Sequence, residues 1–199
     1  MAVTENLYSL NIRDYIESRD AHKRDLLFGL ISSFTCPKNP DIERFLKNSA
    51  VEFTKKQQSV TYLAFKREEF PLFVGYFALT VKPFKVGVND IPSNTWRRKI
   101  ERVARFDEKT QIYSAAGYLI AQLGKNYTDG MNELVTGSEL LDLAMNVIRK
   151  TQYRVGGMIA FLDAENSSSL TDFYTHNGFY LISDKDSPRE EMLQFYRMI

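Results

Sequence analysis

The most informative part of the sequence begins with the apolar segment Ser114–Leu123 (SAAGYLIAQL), followed by a polar loop and then Thr136–Glu139 (TGSE). A second apolar run, Met158–Leu162 (MIAFL), and the segment Leu170–Phe179 (LTDFYTHNGF) come next. The two short apolar runs are typical of buried strands, whereas the residues after Glu139 place apolar side chains at helical spacing. The stretch therefore predicts strand, loop, helix, strand and helix in that order.

The start of the long helix carries two further signals. Thr136 and Glu139 have the spacing of a capping box, in which each side chain bonds the backbone of the other residue. Gly137 between them leaves backbone N–H groups uncovered. A helix end with accessible N–H groups and a positive dipole suits an anion such as a pyrophosphate. The same pattern also fits an ordinary capped helix, and both interpretations stay open at this point.

Outside this stretch, the first half of the chain predicts strands joined by hairpins, whereas the second half alternates strands with helices. That arrangement predicts an α/β fold with a mixed sheet. The predicted N-terminal and C-terminal elements are strands at Leu7–Ile12, Val60–Phe65, Leu72–Val81 (ended by Pro83), Phe179–Ile182 and Leu193–Met198, and helices at Leu26–Phe34, Asp41–Phe53 (with Asp41 as N-cap) and Trp96–Arg105.

Composition limits the classes of function. The chain has 199 residues, 44% hydrophobic and 26% charged, which is typical of one globular domain. A formal charge of +1 gives no overall signature of nucleic-acid or membrane binding. One cysteine, Cys36, and two histidines, His22 and His176, argue against a disulfide or a metal site. With no signal-like or membrane-spanning run, we expect a cytoplasmic protein.

Several of these segments resemble the GNAT superfamily of acyl-CoA-dependent N-acyltransferases. Tyr118–Gly124 resembles the fourth strand of that family, Asn132–Leu141 its pyrophosphate loop and helix, and Met158–Asp163 its fifth strand. Leu170–Phe179 matches the family segment xxFYxxxGF and is the most specific piece. Asp41–Ala50 and Thr61–Leu79 are similar to the GNAT toxins of toxin–antitoxin pairs.

The resemblance implies a fold, a domain organisation and an activity. The fold is α/β (α+β), a central mixed sheet of six or seven strands flanked by helices. The implied single domain comprises an N-terminal half with the acceptor side (1–113), an acyl-CoA-binding core (114–182) and a C-terminal strand (183–199). The implied activity is transfer of an acetyl group from acetyl-CoA to a primary amine on a small molecule or protein, with a homodimer left open.

The resemblance also assigns site residues. Tyr174 matches the family tyrosine that donates a proton to the departing CoA thiolate; the alternative is an aromatic core residue. Backbone N–H groups near Ala121 and Leu123 would hold the thioester carbonyl. The pantetheine would contact Asn166 or Ser167, either of which could instead cap a helix. The pyrophosphate would contact Asn132, Val135, Thr136, Gly137 and Ser138.

Two departures from the family loop bear on binding. The loop is Gln/Arg-x-x-Gly-x-Gly/Ala in the family, but here Asn132 takes the first position and Val135 replaces the first glycine. Glycine permits close approach of the backbone to a phosphate, so we expect Val135 to hinder cofactor binding. Glu133 adds a negative charge nearby. The alternative function is therefore a weak or inactive CoA-binding, regulatory module.

No general base is assigned by the sequence. Glu52 and Glu133 are both candidates, and the family also uses water chains. We expect His176 to be a surface residue, because it lies two positions after Tyr174 and points to another side of the helix. We expect Cys36 to be a small buried apolar residue rather than a nucleophile.

A local basic segment suggests a second acceptor. Trp96 lies within it, and such a segment could neutralise RNA phosphates and stack a base. By resemblance to the toxins, the amine of an aminoacyl-tRNA is the alternative acceptor, and a DNA-binding antitoxin would then be the partner. A solvated surface helix is the simpler interpretation. The seven basic residues are Lys82, Lys85, Arg97, Arg98, Lys99, Arg102 and Arg105.

Overall fold

The computed structural model describes residues 6–182 and 192–199. Short 3-10 segments lie at Val88–Asp90 and Thr128–Leu134. None of the helices in the two described ranges combines the length and apolar character needed to cross a lipid bilayer. The strands are β1 (Leu7–Asn11), β2 (Val60–Lys66), β3 (Leu72–Gly87), β4 (Arg105–Asp107), β5 (Ile112–Lys125), β6 (Ile159–Glu165), β7 (Tyr180–Ile182) and β8 (Met192–Met198). The helices are α1 (Arg13–Ile16), α2 (Ala21–Ser33), α3 (Pro40–Asn48), α4 (Ala50–Lys55), α5 (Asn94–Glu101), α6 (Gly137–Val155) and α7 (Ser168–His176).

The described strands form one mixed sheet in the order β1-β2-β3-β5-β6-β8-β7, with β4 beside β5. Strands β5 and β6 are parallel, with Tyr118 opposite Ala160. The pairs β1–β2, β2–β3, β4–β5, β6–β8 and β7–β8 are antiparallel. This architecture confirms the predicted fold class. The sheet has eight strands rather than six or seven, because the short, exposed β4 carries no apolar alternation that a sequence pattern reveals.

The described residues fall into two compact units. The first comprises the described part of Met1–Thr80 together with Ile120–Val147, and the second Val81–Leu119 together with the described part of Ile148–Ile199. Strands β3 and β5 and helix α6 contribute residues to both units. The predicted division into 1–113, 114–182 and 183–199 stays a prediction. Residues 183–191 of its last segment lie outside the described residues.

In the first unit, buried side chains form apolar clusters on opposite faces of the strands. Leu63 and Tyr76 pack with residues of α2, α3 and α4, whereas Ala64 and Phe77 pack with residues of α6 such as Leu140. Successive strand residues point to opposite faces, so these neighbours mark the two sides. We call the side of Leu63 and Tyr76 the N-terminal face and the side of Ala64 and Phe77 the α6 face.

The second unit has an aromatic core around Phe84. Its ring centroid lies 5.3 Å from that of Phe161 and 5.4 Å from that of Tyr196. The Tyr196 hydroxyl donates to the Asp90 carbonyl at 3.0 Å. A Cβ on Gly117 would lie 2.8 Å from the Phe161 ring and 3.1 Å from Phe84 Cβ. The core therefore requires a glycine at position 117.

The helix predicted over Asp41–Phe53 is two helices, α3 and α4. They are separated by Ser49, whose backbone (φ −123°, ψ −32°) departs from helical geometry. The predicted N-cap is also wrong, because Asn39 caps α3. Its side-chain oxygen accepts hydrogen bonds from the N–H groups of Asp41, at 3.1 Å, and Ile42, at 3.3 Å. The apolar spacing was therefore correct for both helices but did not show the break between them.

Strand β3 continues past Pro83, where the sequence predicted its end. Phe84 and Val86 are buried, whereas Pro83 and Lys85 are exposed. This alternation with a period of two is strand geometry. Burial of the two apolar residues in the core of the second unit therefore extends the strand to Gly87.

Two helix boundaries also differ from the predictions. Helix α2 begins before the predicted start at Leu26, because Asp20 caps it by accepting a hydrogen bond from His22 N–H at 2.9 Å. Its first turn is polar and exposed, which hid it from an apolar pattern. Helix α5 ends at Glu101 rather than Arg105, since Arg105 begins β4.

Asn126 joins three segments of the first unit. The residue directly follows β5 and is 3% exposed. Its side-chain Nδ2 donates to the Phe73 carbonyl of β3 at 2.9 Å. Its Oδ1 accepts from the backbone N–H groups of Thr35, at 3.3 Å, and Thr128, at 3.2 Å. One side chain thus satisfies backbone groups from β3, from the segment after α2 and from the 3-10 segment.

We expect Asn126→Ala to lower the free energy of unfolding by about 2–4 kcal/mol, because three backbone groups lose their hydrogen bonds to a buried side chain. Urea unfolding measures the change. Asn48→Ala, at an exposed position in α3, is the control and should stay within about 0.5 kcal/mol of the parent chain. An equally small change for Asn126→Ala would show that this junction does not stabilise the unit.

Candidate functional site

The segment between β5 and α6 closes around the ammonium group of Lys125. Lys125 Nζ donates to the Asn132 carbonyl at 2.7 Å and to the Val135 carbonyl at 3.1 Å. An ammonium group has three N–H donors, so one is left. No ion pair among the described residues involves Lys125. The loop therefore contains a cation that is balanced by carbonyl dipoles rather than by a carboxylate.

Lys125 is a site residue that the sequence analysis missed. It stands alone as a basic residue between an apolar strand and a polar loop, and no motif marks it. The available signal was its position directly before the predicted anion-binding loop. Only the structure brings its ammonium group to the carbonyl groups of that loop.

Val135 does not present its side chain to the outside of the loop. It is 3% exposed and its backbone is extended (φ −144°, ψ 138°). Its isopropyl group belongs to the apolar cluster on the α6 face, with Phe77 and Leu140. The valine that replaces the family glycine is therefore a core residue. The Val135 side chain, which we expected to hinder cofactor binding, therefore does not project from the solvent-facing side of the loop.

The capping box at the start of α6 is confirmed. The Thr136 N–H and hydroxyl both donate to Glu139 Oε2 at 2.8 Å, and the Glu139 N–H donates to Thr136 Oγ1 at 3.2 Å. The hydrogen bond from the Thr136 backbone, followed by that from its hydroxyl, lowers the pKa of Glu139. None of the hydrogen bonds of the described residues uses the N–H groups of Gly137 or Ser138. These two groups are therefore available to an anion at the helix end.

The remaining residues predicted in the first unit lie on β5 and in the loop before α6. Ala121 and Leu123 are half-buried on β5, and Leu123 packs in the cluster on the α6 face. Asn132 is half-buried and contributes its carbonyl to the contact with Lys125. Glu133 is exposed. The structure thus places the predicted loop residues directly before the start of α6.

Tyr174 lies on α7 in the second unit, with a buried ring and an open hydroxyl. The residue is 9% exposed, and its ring centroid lies 4.9 Å from that of Phe173 and 5.3 Å from that of Phe195. No hydrogen bond of the described residues uses its hydroxyl, and that oxygen is not among the polar atoms sealed from solvent. Burial raises the pKa of Tyr174 to about 12, so the phenol stays protonated at neutral pH.

The ends of α7 explain how the sequence holds Tyr174. Ser167 caps the helix by accepting a hydrogen bond from Leu170 N–H at 3.3 Å, which is the capping role left open by the sequence. Gly178 has φ +78°, the left-handed conformation with which glycine ends helices. The chain then turns so that Phe179 N–H donates to the Tyr174 carbonyl at 3.0 Å. Asn166 is exposed, just before the cap.

The other candidate residues have simpler roles. His176 is exposed, and its Nδ1 lies 2.6 Å from the Asp172 carbonyl, which confirms a surface residue. Cys36 is buried, as predicted, and burial raises the pKa of its thiol. Glu52 is exposed and pairs with Lys55 at 3.2 Å. No group of residues suited to a metal ion occurs in ranges 6–182 and 192–199.

The basic segment of the second unit is exposed and carries no internal ion pairs. Of its seven basic residues only Arg97 is half-buried, and within the described part of the chain none forms an ion pair. Trp96 is half-buried, with its ring 4.5 Å from that of Tyr180 and 5.6 Å from that of Tyr196. The positive charge is therefore free for a partner, whereas the indole already packs inside the protein.

We expect Lys125→Met to loosen the loop without unfolding the chain. Losing two charge-assisted hydrogen bonds at a partly exposed site should cost about 1–2 kcal/mol locally. That cost corresponds to about tenfold faster hydrogen exchange in residues 128–136. Lys150→Met, at an exposed position on α6, is the matched control and should leave these amides unchanged. Unaltered exchange in Lys125→Met would show that the ammonium group does not hold the loop.

Comparison with known proteins gives structural similarity only. No protein-family model matches the chain, and neither does any curated protein. The AtaT toxin complexed with acetyl-methionyl-tRNAfMet is 18% identical, with a TM-score of 0.64, over 96% of this chain and 94% of that one. A tyrosine-to-phenylalanine mutant of KacT is 18% identical, with a TM-score of 0.62, over 96% and 95%.

A further similar structure is a tyrosine-to-phenylalanine mutant of AtaT bound to acetyl-CoA and the C-terminus of the antitoxin AtaR. It is 16% identical, with a TM-score of 0.59, over 96% of this chain and 94% of that one. Coverage is nearly complete in each direction, while identity is low. What is shared is therefore the arrangement of the backbone, and this chain has the GNAT-like fold of the AtaT and KacT toxins.

Proposed function

We propose that this chain is an N-acetyltransferase that moves an acetyl group from acetyl-CoA to a primary amine. The observation that carries the proposal is Tyr174, whose ring is buried while its hydroxyl is open and unbonded within the described residues. A tyrosine that served only the core would be expected to bond a buried partner. The fold shared with a toxin that was solved with acetyl-CoA supports the choice of donor.

In this proposal the start of α6 binds the pyrophosphate of CoA. The N–H groups of Gly137 and Ser138 would donate to phosphate oxygens, and the dipole of a 19-residue helix would favour the negative charge. Lys125 would add a positive charge to the loop formed by Asn132, Val135 and Thr136. Because Thr136 N–H is engaged by Glu139, the site relies on fewer amides than a glycine-rich loop provides.

Tyr174 would act on the sulfur. As the amine nitrogen forms its bond to the thioester carbon, the carbon–sulfur bond breaks and Tyr174 donates its proton to the departing sulfur. With a pKa of about 12, the phenolate does not persist at neutral pH, so it takes back the proton that the amine nitrogen loses. Backbone N–H groups near Ala121 and Leu123 would stabilise the oxyanion, while Asn166 or Ser167 would contact the pantetheine.

Acetyl-CoA should raise the melting temperature. At 100 times its dissociation constant it should add about 2.7 kcal/mol to the free energy of unfolding. Gly137→Glu should abolish most of this shift, because a carboxylate at the helix end repels a pyrophosphate while it suits the helix dipole. The matched control is Gly29→Glu, which places the same charge in an open position on α2. If saturating acetyl-CoA leaves the melting temperature of CoA-free protein unchanged, the cofactor assignment fails.

Tyr174→Phe should lower the rate of CoA release by about 10²–10⁴-fold, because a general acid contributes about that much. Acetyl-CoA affinity should barely change, since the hydroxyl acts only once the sulfur gains charge. Tyr153→Phe removes a hydroxyl from a side chain that is 92% exposed and serves as the control. If the Tyr174→Phe enzyme is fully active but less stable, Tyr174 has a structural role and is not the general acid.

A specific observation favours aminoacyl-tRNA as the acceptor. The AtaT structure with acetyl-methionyl-tRNAfMet covers 96% of this chain, and the seven basic residues of the basic segment form no ion pair among the described residues. Lys and Arg that contact phosphates release counterions, so binding would depend steeply on salt. We therefore infer that the basic segment receives the tRNA body; a DNA-binding antitoxin would then be the regulatory partner.

Replacing Arg97, Arg98 and Arg102 together by alanine should weaken tRNA binding and reduce the slope of log affinity against log salt by about 2–3. Acetylation of a small amine should persist, because the loop and Tyr174 are untouched. The control is alanine at Arg19, Lys23 and Lys56, which are exposed in the first unit. Equal tRNA affinity in all three proteins would show that the basic segment is a solvated surface and does not bind tRNA.

If the chain is instead a weak or inactive CoA-binding module, we expect different results in these experiments. This alternative predicts the thermal shift with acetyl-CoA and its loss in Gly137→Glu, but no CoA release with any amine. Tyr174→Phe would then change stability alone. The binding and turnover experiments thus separate the enzyme from a module that has kept only the site for the cofactor.

A further inference from the structure

Four oxygen atoms in the first unit are sealed from solvent and bonded to nothing in the described residues. They are Thr54 Oγ1, Ser59 Oγ, Thr61 Oγ1 and Gln122 Oε1. The three hydroxyl residues are almost fully buried, with Thr61 at 0% exposure. Buried polar groups in proteins nearly always have a partner, so each of these oxygens requires one that the described residues do not provide.

Strand geometry places Ser59 and Thr61 on the N-terminal face. Leu63 belongs to the apolar cluster of that face, and alternate strand residues share a face. Thr61 lies in β2, two positions before Leu63. Ser59 lies four positions before Leu63, directly ahead of the strand. Thr61 lies opposite Ala78 of β3.

Gln122 occupies the same face on β5. Asn126 N–H donates to the Val74 carbonyl at 2.9 Å, and a Cβ on Gly75 would lie 2.6 Å from the Gly124 carbonyl oxygen. These contacts place the end of β5 beside the part of β3 that pairs with β2. Because Leu123 packs on the α6 face, its neighbour Gln122 points to the N-terminal face.

Thr54 reaches this row from α4. Ala50 and Thr54 are one helical turn apart and both buried, and Ala50 packs in the cluster of the N-terminal face. The turn after α4 folds back so that Ser59 N–H donates to the Phe53 carbonyl at 3.4 Å. The end of α4 and the start of β2 are therefore adjacent, with Thr54 turned toward the strands.

We propose that these four oxygens bind buried water, about one or two molecules, between α4, β2 and β5. No two of the four bond each other, so they are spaced apart rather than paired. All four groups are uncharged, and all accept hydrogen bonds while the three hydroxyls also donate, which suits water rather than an ion. A buried water typically makes about three hydrogen bonds to such groups. The inference goes beyond the acetyltransferase proposal and does not depend on it.

The test combines a melting curve with a high-resolution crystal structure. If water is bound, Thr61→Val should lower the melting temperature by about 2–4 °C, because the water loses a partner and the valine has the same shape. If the hydroxyl is dry and unpaired, the same change should leave the melting temperature unchanged or raise it. Thr80→Val, on a half-buried strand residue, controls for the substitution itself.

A double variant tests whether the groups share one site. Thr54→Val and Thr61→Val should have non-additive effects if they bond the same water, and additive effects would contradict a shared site. Should the variants fail to fold, the crystal structure of the parent chain decides. Water density within hydrogen-bonding distance of at least two of the four oxygens supports the proposal. Side chains rotated to bond each other or the backbone, with no water, would overturn it.

Discussion

The structure depends on how backbone polar groups are satisfied where β5 leaves the sheet. Lys125 and Asn126 are adjacent at this point, and their side chains form hydrogen bonds with different segments. Asn126 bonds backbone groups of β3, of the segment after α2 and of the 3-10 segment. Lys125 bonds two carbonyls of the loop that leads to α6. A buried N–H or carbonyl without a partner is costly, so these two residues fix the position from which α6 starts.

The proposed chemistry depends on this start of α6. The capping box commits Thr136 and Glu139 to the helix itself and leaves Gly137 and Ser138 as the amides at its end. Val135, which breaks the family pattern, belongs to the core. In the second unit, α7 holds an aromatic ring in the core while its phenol hydroxyl stays open. In the proposed reaction, the start of α6 would bind the pyrophosphate and the protonated phenol would donate to the departing sulfur.

Local signals made the second half of the chain predictable. The capping box, the apolar spacing of α6 and the Phe173-Tyr174 and Gly178-Phe179 pairs each depend on residues close together in sequence. The first half was harder because its details depend on contacts between distant residues. The break at Ser49 and the extension of β3 past Pro83 follow from packing and hydrogen bonds that no short pattern contains. The same is true of Lys125 in the second half. Strand β4 was missed because an exposed three-residue strand carries no apolar signal.

The central claim is that the chain transfers an acetyl group, and the most direct measurement follows that group. Purified protein is incubated with acetyl-CoA labelled in the acetyl carbon, together with aminoacyl-tRNA and, in parallel, a panel of small amines. Label in the amide fraction is counted against free CoA released. We expect label on an amine in step with CoA release, with aminoacyl-tRNA as the preferred acceptor. Acetyl-CoA that binds at saturation yet gives no labelled amide with any acceptor would contradict it.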